Sequence, residues 1–244
     1  MLEFLADPAA WASLVTLIVL EIVLGVDNVI FISIVSNRLP EGERERARRY
    51  GLLGALGLRI LLLGSIAWIV TLSRPVAEIV GHPFSWRDLI LLAGGLFLIY
   101  KAATEIHAEV EGDDHEIGAG ATAASFTGVI GQVMVLDLVF SIDSVITAVG
   151  VAEHLAVMIA AVVVAIGVMM VAAAPIARFV ENHPSTKMLA LSFLVMIGMA
   201  LMADGFGYHV DRGFIYAAMA FGGAVEGLNL LRGRRNRRRR APGA

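Results

Sequence analysis

The sequence predicts an all-α polytopic membrane protein: seven transmembrane helices arranged as two inverted three-helix repeats plus a seventh helix. Three observations carry this. Of the 244 residues 58% are hydrophobic and only 17% charged, with a mean hydropathy of +0.78, against roughly 45–50% and about 25% in a typical globular domain. An acidic motif inside the apolar runs occurs twice. Basic residues gather in alternate loops, as the positive-inside rule requires. Disorder, a disulfide scaffold (there is no cysteine) and a nucleic-acid module are excluded by the same composition.

The apolar runs place spans near 11–36, 51–73, 88–103, 125–150, 155–177, 188–204 and 213–231, each about long enough to cross a hydrocarbon core. Met1–Ala10 has neither a basic start nor a small-residue cleavage site, so the first run reads as a retained helix and not a signal peptide. Arg38, Arg44, Arg46, Arg48 and Arg49 fill the first loop, Arg178 and Lys187 the fifth, and seven arginines the tail after Leu231. The intervening loops hold Arg74, Arg87 and Arg212. Seven spans put every basic cluster on one side, with the N-terminus outside and the C-terminus cytoplasmic. The net charge of −3 thus divides into a basic tail at 232–244 and an acid-rich remainder of −10 over residues 1–231. Such a tail, following a span, reads as a membrane anchor in contact with anionic lipid and not as a nucleic-acid arm. Glu105–Glu116, EIHAEVEGDDHE, reads as a solvated acidic loop or as a low-affinity cation-attracting one.

The repeat is visible in two places. EIVLGVDNVI at Glu21 recurs as DLVFSIDSVI at Asp137, and PVAEIVGHP at Pro75 recurs with one insertion as PIARFVENHP at Pro175. The repeats occupy about 11–103 and 125–204, with 213–231 left over. Three spans per unit is odd, so the second unit is upside down relative to the first, as in many secondary transporters.

Ionisable groups at helix centres cost about 2.5–3.5 kcal/mol each on insertion scales and therefore mark function. The first unit carries Glu21, Asp27 and Asn28; the second carries Gln132, Asp137, Asp143 and Ser144. Gly25 and Ser141 lie between the paired acids, where a helix break would turn both carboxylates toward one cavity. With Glu226, five acids face two internal cations, Arg59 and Lys101, which act as counter-ions or in coupling. Met169 occupies the position equivalent to Arg59 in the second unit. Pairing with two cations leaves some of these acids to be protonated, hydrated or bound to a cation; a cation site is the favoured reading and purely structural pairing its alternative. Carboxylate, amide and hydroxyl oxygens suit Mg²⁺, Ca²⁺ or Mn²⁺. All six histidines fall in loops or near span edges, which disfavours Zn²⁺ or Cu⁺. Gly51, Gly54, Gly57, Gly94-Gly95 and Gly222-Gly223 read as close helix contacts. No phosphate-binding loop or serine-hydrolase pattern is present; no enzyme and no organic cofactor are expected.

The motifs EIVLGVDNVIF at Glu21, GGLFLIYKAATEIH at Gly94, DLVFSIDSVITAVG at Asp137 and HPSTKMLALSFL at His183 closely resemble the TerC family of bacterial integral membrane proteins. The similarity spans about residues 4–231. The resemblance implies a seven-helix fold of two inverted repeats, akin to the LysE superfamily of exporters, in the bacterial inner membrane. It also implies Mn²⁺ as the exported ion and a link to tellurium-resistance operons. By the same resemblance the metal site comprises Glu21, Asp27 and Asn28 with Asp137 and Asp143, and Gln132 or Ser144 nearby. Family members with cytoplasmic sensing domains are similar to this chain only in their membrane part. The expectation is a Mn²⁺ exporter working by alternating access, with proton exchange as the natural drive. Its competitors are Ca²⁺ or tellurium-related transport, and a non-transporting membrane scaffold or assembly partner. The oligomeric state stays open.

Overall fold

In a computed structural model the chain is described over residues 8–65, 72, 75–79, 82–111, 125–152 and 154–240. Seven helices account for nearly all of it: α1 (Pro8–Ser36), α2 (Glu41–Gly64), α3 (Trp86–Glu111), α4 (Phe126–Val151), α5 (Leu155–Glu181), α6 (Pro184–Gly205) and α7 (Arg212–Arg240). Five of them, α1, α3, α5, α6 and the 212–232 part of α7, are long and apolar enough to cross a membrane; α4 adds the apolar stretch Phe126–Ile142. An all-α polytopic membrane protein is the result.

The molecule is inverted relative to a soluble protein. Val15, Val19 and Val23 form an exposed apolar stripe on α1, and Phe214, Phe221 and Leu228 one on α7. Glu21, Asn28, Arg59, Asp137, Ser141 and Ser144 are buried. Lipid is the solvent for the outer faces, while backbone groups are satisfied within each helix. Buried serines follow the same rule: the Ser33 hydroxyl donates to the Val29 carbonyl at 2.6 Å, so it carries no unmet polarity.

Helix pairing is selective. The two largest interfaces are α3 with α6 and α1 with α5, followed by α2 with α4. α1 and α5 run parallel, since Ser13 borders Val157 and Gly25 meets Met169. α2 and α4 also run parallel: Tyr50 packs edge-on to Phe126 and Gly51 lies against Val133. α3 and α6 are antiparallel and cross where Gly95 and Gly198 face each other. A Cβ on Gly95 would stand 2.6 Å from the Gly198 carbonyl oxygen, and one on Gly198 2.9 Å from the Gly95 carbonyl oxygen. Small residues allow this backbone-to-backbone approach in a membrane, where packing replaces the hydrophobic effect. Of the three α2 glycines at every third position, Gly51 and Gly54 press on Val133 and Met134, whereas Gly57 faces open space. Only two of the three serve packing.

Several expectations need correction. α1 and α4 are continuous helices, so there is no break at Gly25 or Ser141. Gly25 instead makes room for Met169, and Ser141 spends its hydroxyl on Asp137 at 3.1 Å. The first part of the acidic segment is not a loop: α3 runs on to Glu111. Arg38 lies 2.7 Å from Glu105 in an ion pair without hydrogen-bond alignment, Glu109 pairs with Lys187, and His107 meets Glu111 one turn on at 3.2 Å. These cross-ties hold the helix end; residues 112–124 lie outside the described set. Pro75–Ile79 (β1) and His82–Ser85 (β2) form an antiparallel hairpin, with Glu78 opposite Pro83. Phe84 anchors it edge-on to Phe206 at 6.3 Å. The matching segment Pro175–Pro184 instead ends α5 and starts α6. Ser85 and Asp88 then cap α3: Asp88 accepts from the Ser85 amide and hydroxyl at 2.8 and 2.7 Å, and the Asp88 amide returns a bond to the hydroxyl at 3.2 Å. This is a capping box with aspartate in the acidic position. α7 continues to Arg240, so the arginine tail extends the last helix; arginine is a good helix former.

The Gly95–Gly198 crossing yields a direct test. Gly198→Leu forces the two backbones apart and lowers stability by about 2 kcal/mol or more, in the range of overpacked cores. Gly57→Ala, into open space, is neutral or gains about 0.5 kcal/mol. Thermal melts of both variants in detergent measure the difference, and equal melting temperatures would contradict the crossing.

Candidate functional site

Arg59 is the largest fully buried side chain, at 2% exposure. It leaves α2 at the middle of the bundle and lies between α1 and α4. Its Nη1 donates to Oε2 of Glu21 on α1. Its other side engages Asp137 on α4: Nη2 donates to Oδ1 at 2.8 Å, and Nε to Oδ1 at 3.1 Å and Oδ2 at 3.4 Å. A planar guanidinium is suited to this fork, which a lysine ammonium cannot reproduce. Asn28 on α1 donates its amide to Asp137 Oδ1 at 3.2 Å, and Ser141, one turn along α4, donates to Oδ2 at 3.1 Å. Ser144 borders the Glu21 carboxylate and donates to the Ser141 carbonyl at 3.3 Å.

One guanidinium thus holds two carboxylates, each with burial below a tenth of full exposure. Bringing three charges out of water costs several kcal/mol per ion, which only close pairing and full hydrogen bonding offset. At an effective dielectric near 20, opposite charges about 4 Å apart attract by about 4 kcal/mol. Arg59 therefore serves both acids at once, and the cluster retains one negative charge beyond its cation when all three groups are ionised.

Two cavities meet at Arg59. One, of about 50 Å³, is lined by Arg59, Ser144, Leu24 and Phe140 and extends to Asp204, Arg212 and Tyr216 at the α6–α7 turn. The other, of about 10 Å³, is lined by Arg59, Asn28, Asp137, Leu52 and Met169 and lies toward the basic end of the bundle. The first has room for more than one water-sized particle and the second for about one. Arg59 and its partners form the partition between them.

The residues picked out in the sequence fare differently. Glu21, Asn28, Asp137, Ser144 and Arg59 come together, and Met169 lies beside them. Asp27 and Asp143 sit on α1 and α4, but their side chains lie outside the described set. Gln132, on α4 before Asp137, keeps a buried Oε1 without a partner among the described residues. Lys101, half-buried on α3, has no ion pair with these acids among the described residues. Glu226 is remote from the cluster: it accepts from Ser185 at 2.5 Å and Thr186 at 3.1 Å, tying α7 to the start of α6. Among the described residues no three acids or histidines converge as a ready-made metal cage. Sequence reasoning missed Ser141 as a carboxylate partner. It also missed the Asp204–Arg212–Tyr216 mouth, whose only signal was one acid and one arginine flanking a short apolar turn.

Fold and site together define a polytopic integral membrane protein with a charged centre sealed inside its helices. Residues 6–241 match the integral membrane protein TerC family, and the chain belongs to that family, consistent with a membrane transporter. It is 53% identical to the UPF0053 inner membrane protein YgdQ of Escherichia coli K12 over 97% of this chain and 99% of that protein. It is 51% identical to the UPF0053 inner membrane protein YoaE of the same organism over 96% of this chain, but spans only 45% of that protein. With UPF0053 protein YegH, also of Escherichia coli K12, it shares 50% identity over 94% of this chain and 44% of that protein. No solved structure matches.

Removing the central cation tests the cluster. Arg59→Met strands two buried carboxylates and costs about 3–5 kcal/mol, read as a lower melting temperature and lower yield. Adding Glu21→Gln and Asp137→Asn to it recovers most of the loss. A triple variant no more stable than Arg59→Met would show that the three groups do not act as a unit.

Proposed function

We propose that the chain is a divalent metal cation transporter, a Mn²⁺ exporter working by alternating access around the Arg59 cluster. The observation that carries this reading is the convergence of Glu21 and Asp137, the leading acids of the duplicated motif, on one arginine with a cavity on either side. In this reading Arg59 stands in for the cargo. When a divalent ion arrives, Glu21 and Asp137 turn from the guanidinium to the metal, and Asn28 and Ser144 add neutral oxygens. Asp27 and Asp143, six residues beyond the leading acids, complete a hard-oxygen donor set of the kind Mn²⁺ and Ca²⁺ prefer. Gln132, with its unpaired carbonyl oxygen, is a further donor on the path toward the basic end. Protons taken up by the acids as metal leaves would provide the exchange.

Two features support inverted repeats as the moving parts. α1 pairs with α5 while its counterpart α4 pairs with α2, and α3 pairs with its own counterpart α6. Exchanging the two units maps this set of interfaces onto itself. Met169 on α5 also reaches the same centre as Arg59 on α2. In this reading seven spans and the positive-inside rule put Arg38, Arg44, Arg178 and Lys187 on the cytoplasmic side, and the names of the relatives support the inner membrane. The outward direction of transport rests on the resemblance to exporters.

Purified protein in liposomes loaded with a Mn²⁺-sensitive dye provides the test. Mn²⁺ flux above protein-free vesicles is expected, falling at least about tenfold in Asp27→Asn and Asp143→Asn, since each removes a charged ligand worth more than about 1.4 kcal/mol. Ser185→Ala, far from the centre, retains flux. Wild-type protein with no flux, or folded Asp27→Asn and Asp143→Asn with full flux, would overturn the reading.

A further inference from the structure

Between α2 and α5, at the basic end, runs an open groove of about 320 Å³ that the transport reading does not use. Its floor is apolar, formed by Leu52 and by Gly167, Met170, Val171 and Ala174. The four α5 residues fall at helical spacing and form one stripe about 10 Å long. Val171 is 79% exposed, and no atom lies within 4 Å of the place a Cβ on Gly167 would take. Among the described residues nothing fills the groove at Gly167 or covers Val171.

The rim is charged: Arg48, Arg49 and Glu45 line it, two cations to one acid. Arg48 and Arg49 stand about one turn from Leu52 on α2, at the point where the helix changes from charged to apolar. Arg49 has a loose pairing with Glu45 at 3.6 Å. Arg48 is half-buried; its Nη1 has one long bond, 3.4 Å to the Ser36 hydroxyl. Its Nε is buried with no partner among the described residues. Burial lowers the Arg48 guanidinium below its ordinary value; Glu45 and Glu181 pull it back, and Arg44 and Arg178 push it down again. A buried donor without a partner costs free energy that an acceptor placed there would relieve.

We propose that this groove holds an anionic glycerophospholipid, its phosphate on Arg48 and Arg49 and one acyl chain along the α5 stripe. The two arginines outweigh Glu45 at the rim and favour a negative headgroup, and the apolar floor has no use for a soluble phosphate. The depth of the stripe, about 10 Å, matches the upper part of an acyl chain in a leaflet about 15 Å thick. Juxtamembrane arginines attract anionic lipid by about 1 kcal/mol each, and a fixed groove adds the chain contacts to that attraction. The site is independent of the transport reading and requires only that the chain is an integral membrane protein.

Native mass spectrometry of the full chain in mild detergent, titrated with phosphatidylglycerol and with phosphatidylcholine of the same acyl composition, tests this. Phosphatidylglycerol is expected to bind roughly tenfold more tightly or better, as two arginines at about 1 kcal/mol each require. Arg48→Gln with Arg49→Gln removes that preference. Arg49→Gln alone, at an exposed position, halves it in free-energy terms and serves if the double variant does not fold. Gly167→Leu keeps the charges, fills the floor and weakens both lipids. Glycerol 3-phosphate fails to compete. Equal binding of the two lipids, an undiminished preference in the folded arginine variants, or full competition by glycerol 3-phosphate would each overturn the proposal.

Discussion

A single guanidinium shared by two carboxylates sets the terms for the rest of this molecule. Inside a bundle surrounded by lipid, a buried carboxylate or guanidinium without a partner costs several kcal/mol, so Glu21, Asp137 and Arg59 each depend on the others. Because the three groups come from α1, α2 and α4, the electrostatic requirement is also a packing requirement. α2 must lie close enough to α4 for Nε and Nη2 to fork onto Asp137, which is where Gly51 and Gly54 remove bulk. α1 must bring Glu21 and Asn28 to the same depth, which is where Gly25 lets Met169 in. The glycines are thus the steric counterpart of the charge cluster.

The outer architecture follows from the same solvent. With no hydrophobic effect to drive helix against helix, the α3–α6 pair relies on bare backbone contact at Gly95 and Gly198. Polar cross-ties collect at the basic end, where Glu105, Glu109 and Glu181 meet Arg38, Lys187 and Arg44. The acidic stretch near Glu105 and the basic loops are therefore complementary parts of one layer. Burial at this layer is partial, so these ion pairs fix geometry more than they add stability.

Much of this was legible in the sequence because a charge in an apolar run stands out by its cost alone. The membrane class, the paired acids and Arg59 all came from that signal. What the sequence could not carry was the pairing. Arg59 can be assigned to one acid on paper; only the meeting of α1, α2 and α4 gives it both. Gly25 and Ser141 illustrate the limit: a small residue between acids reads as a weak point, yet one accommodates a methionine from α5 and the other binds Asp137. Helix ends were equally opaque. Glu105–Glu111 and the residues after Leu231 are polar, and polarity alone does not distinguish a loop from a solvated helix that is held by partners on other segments. The Pro75 and Pro175 segments share a pattern but differ in structure, one a hairpin and the other a helix junction. For Asp27 and Asp143 the sequence remains the sole guide.

The order of the three charged helices along the chain has a consequence for biogenesis. α1 and α2 leave the ribosome before α4, and chains acquire structure from the N-terminal side as they are made. Glu21 and Arg59 can therefore enter the bilayer as a pair, each lowering the other's insertion cost, with Asp27 the one further acid on α1. Asp137 arrives afterwards as a supernumerary anion on a helix with no arginine of its own within the membrane. Its place is prepared by the free edge of a guanidinium already in position, so the nascent protein assembles its most costly feature around a pair that is never left unbalanced.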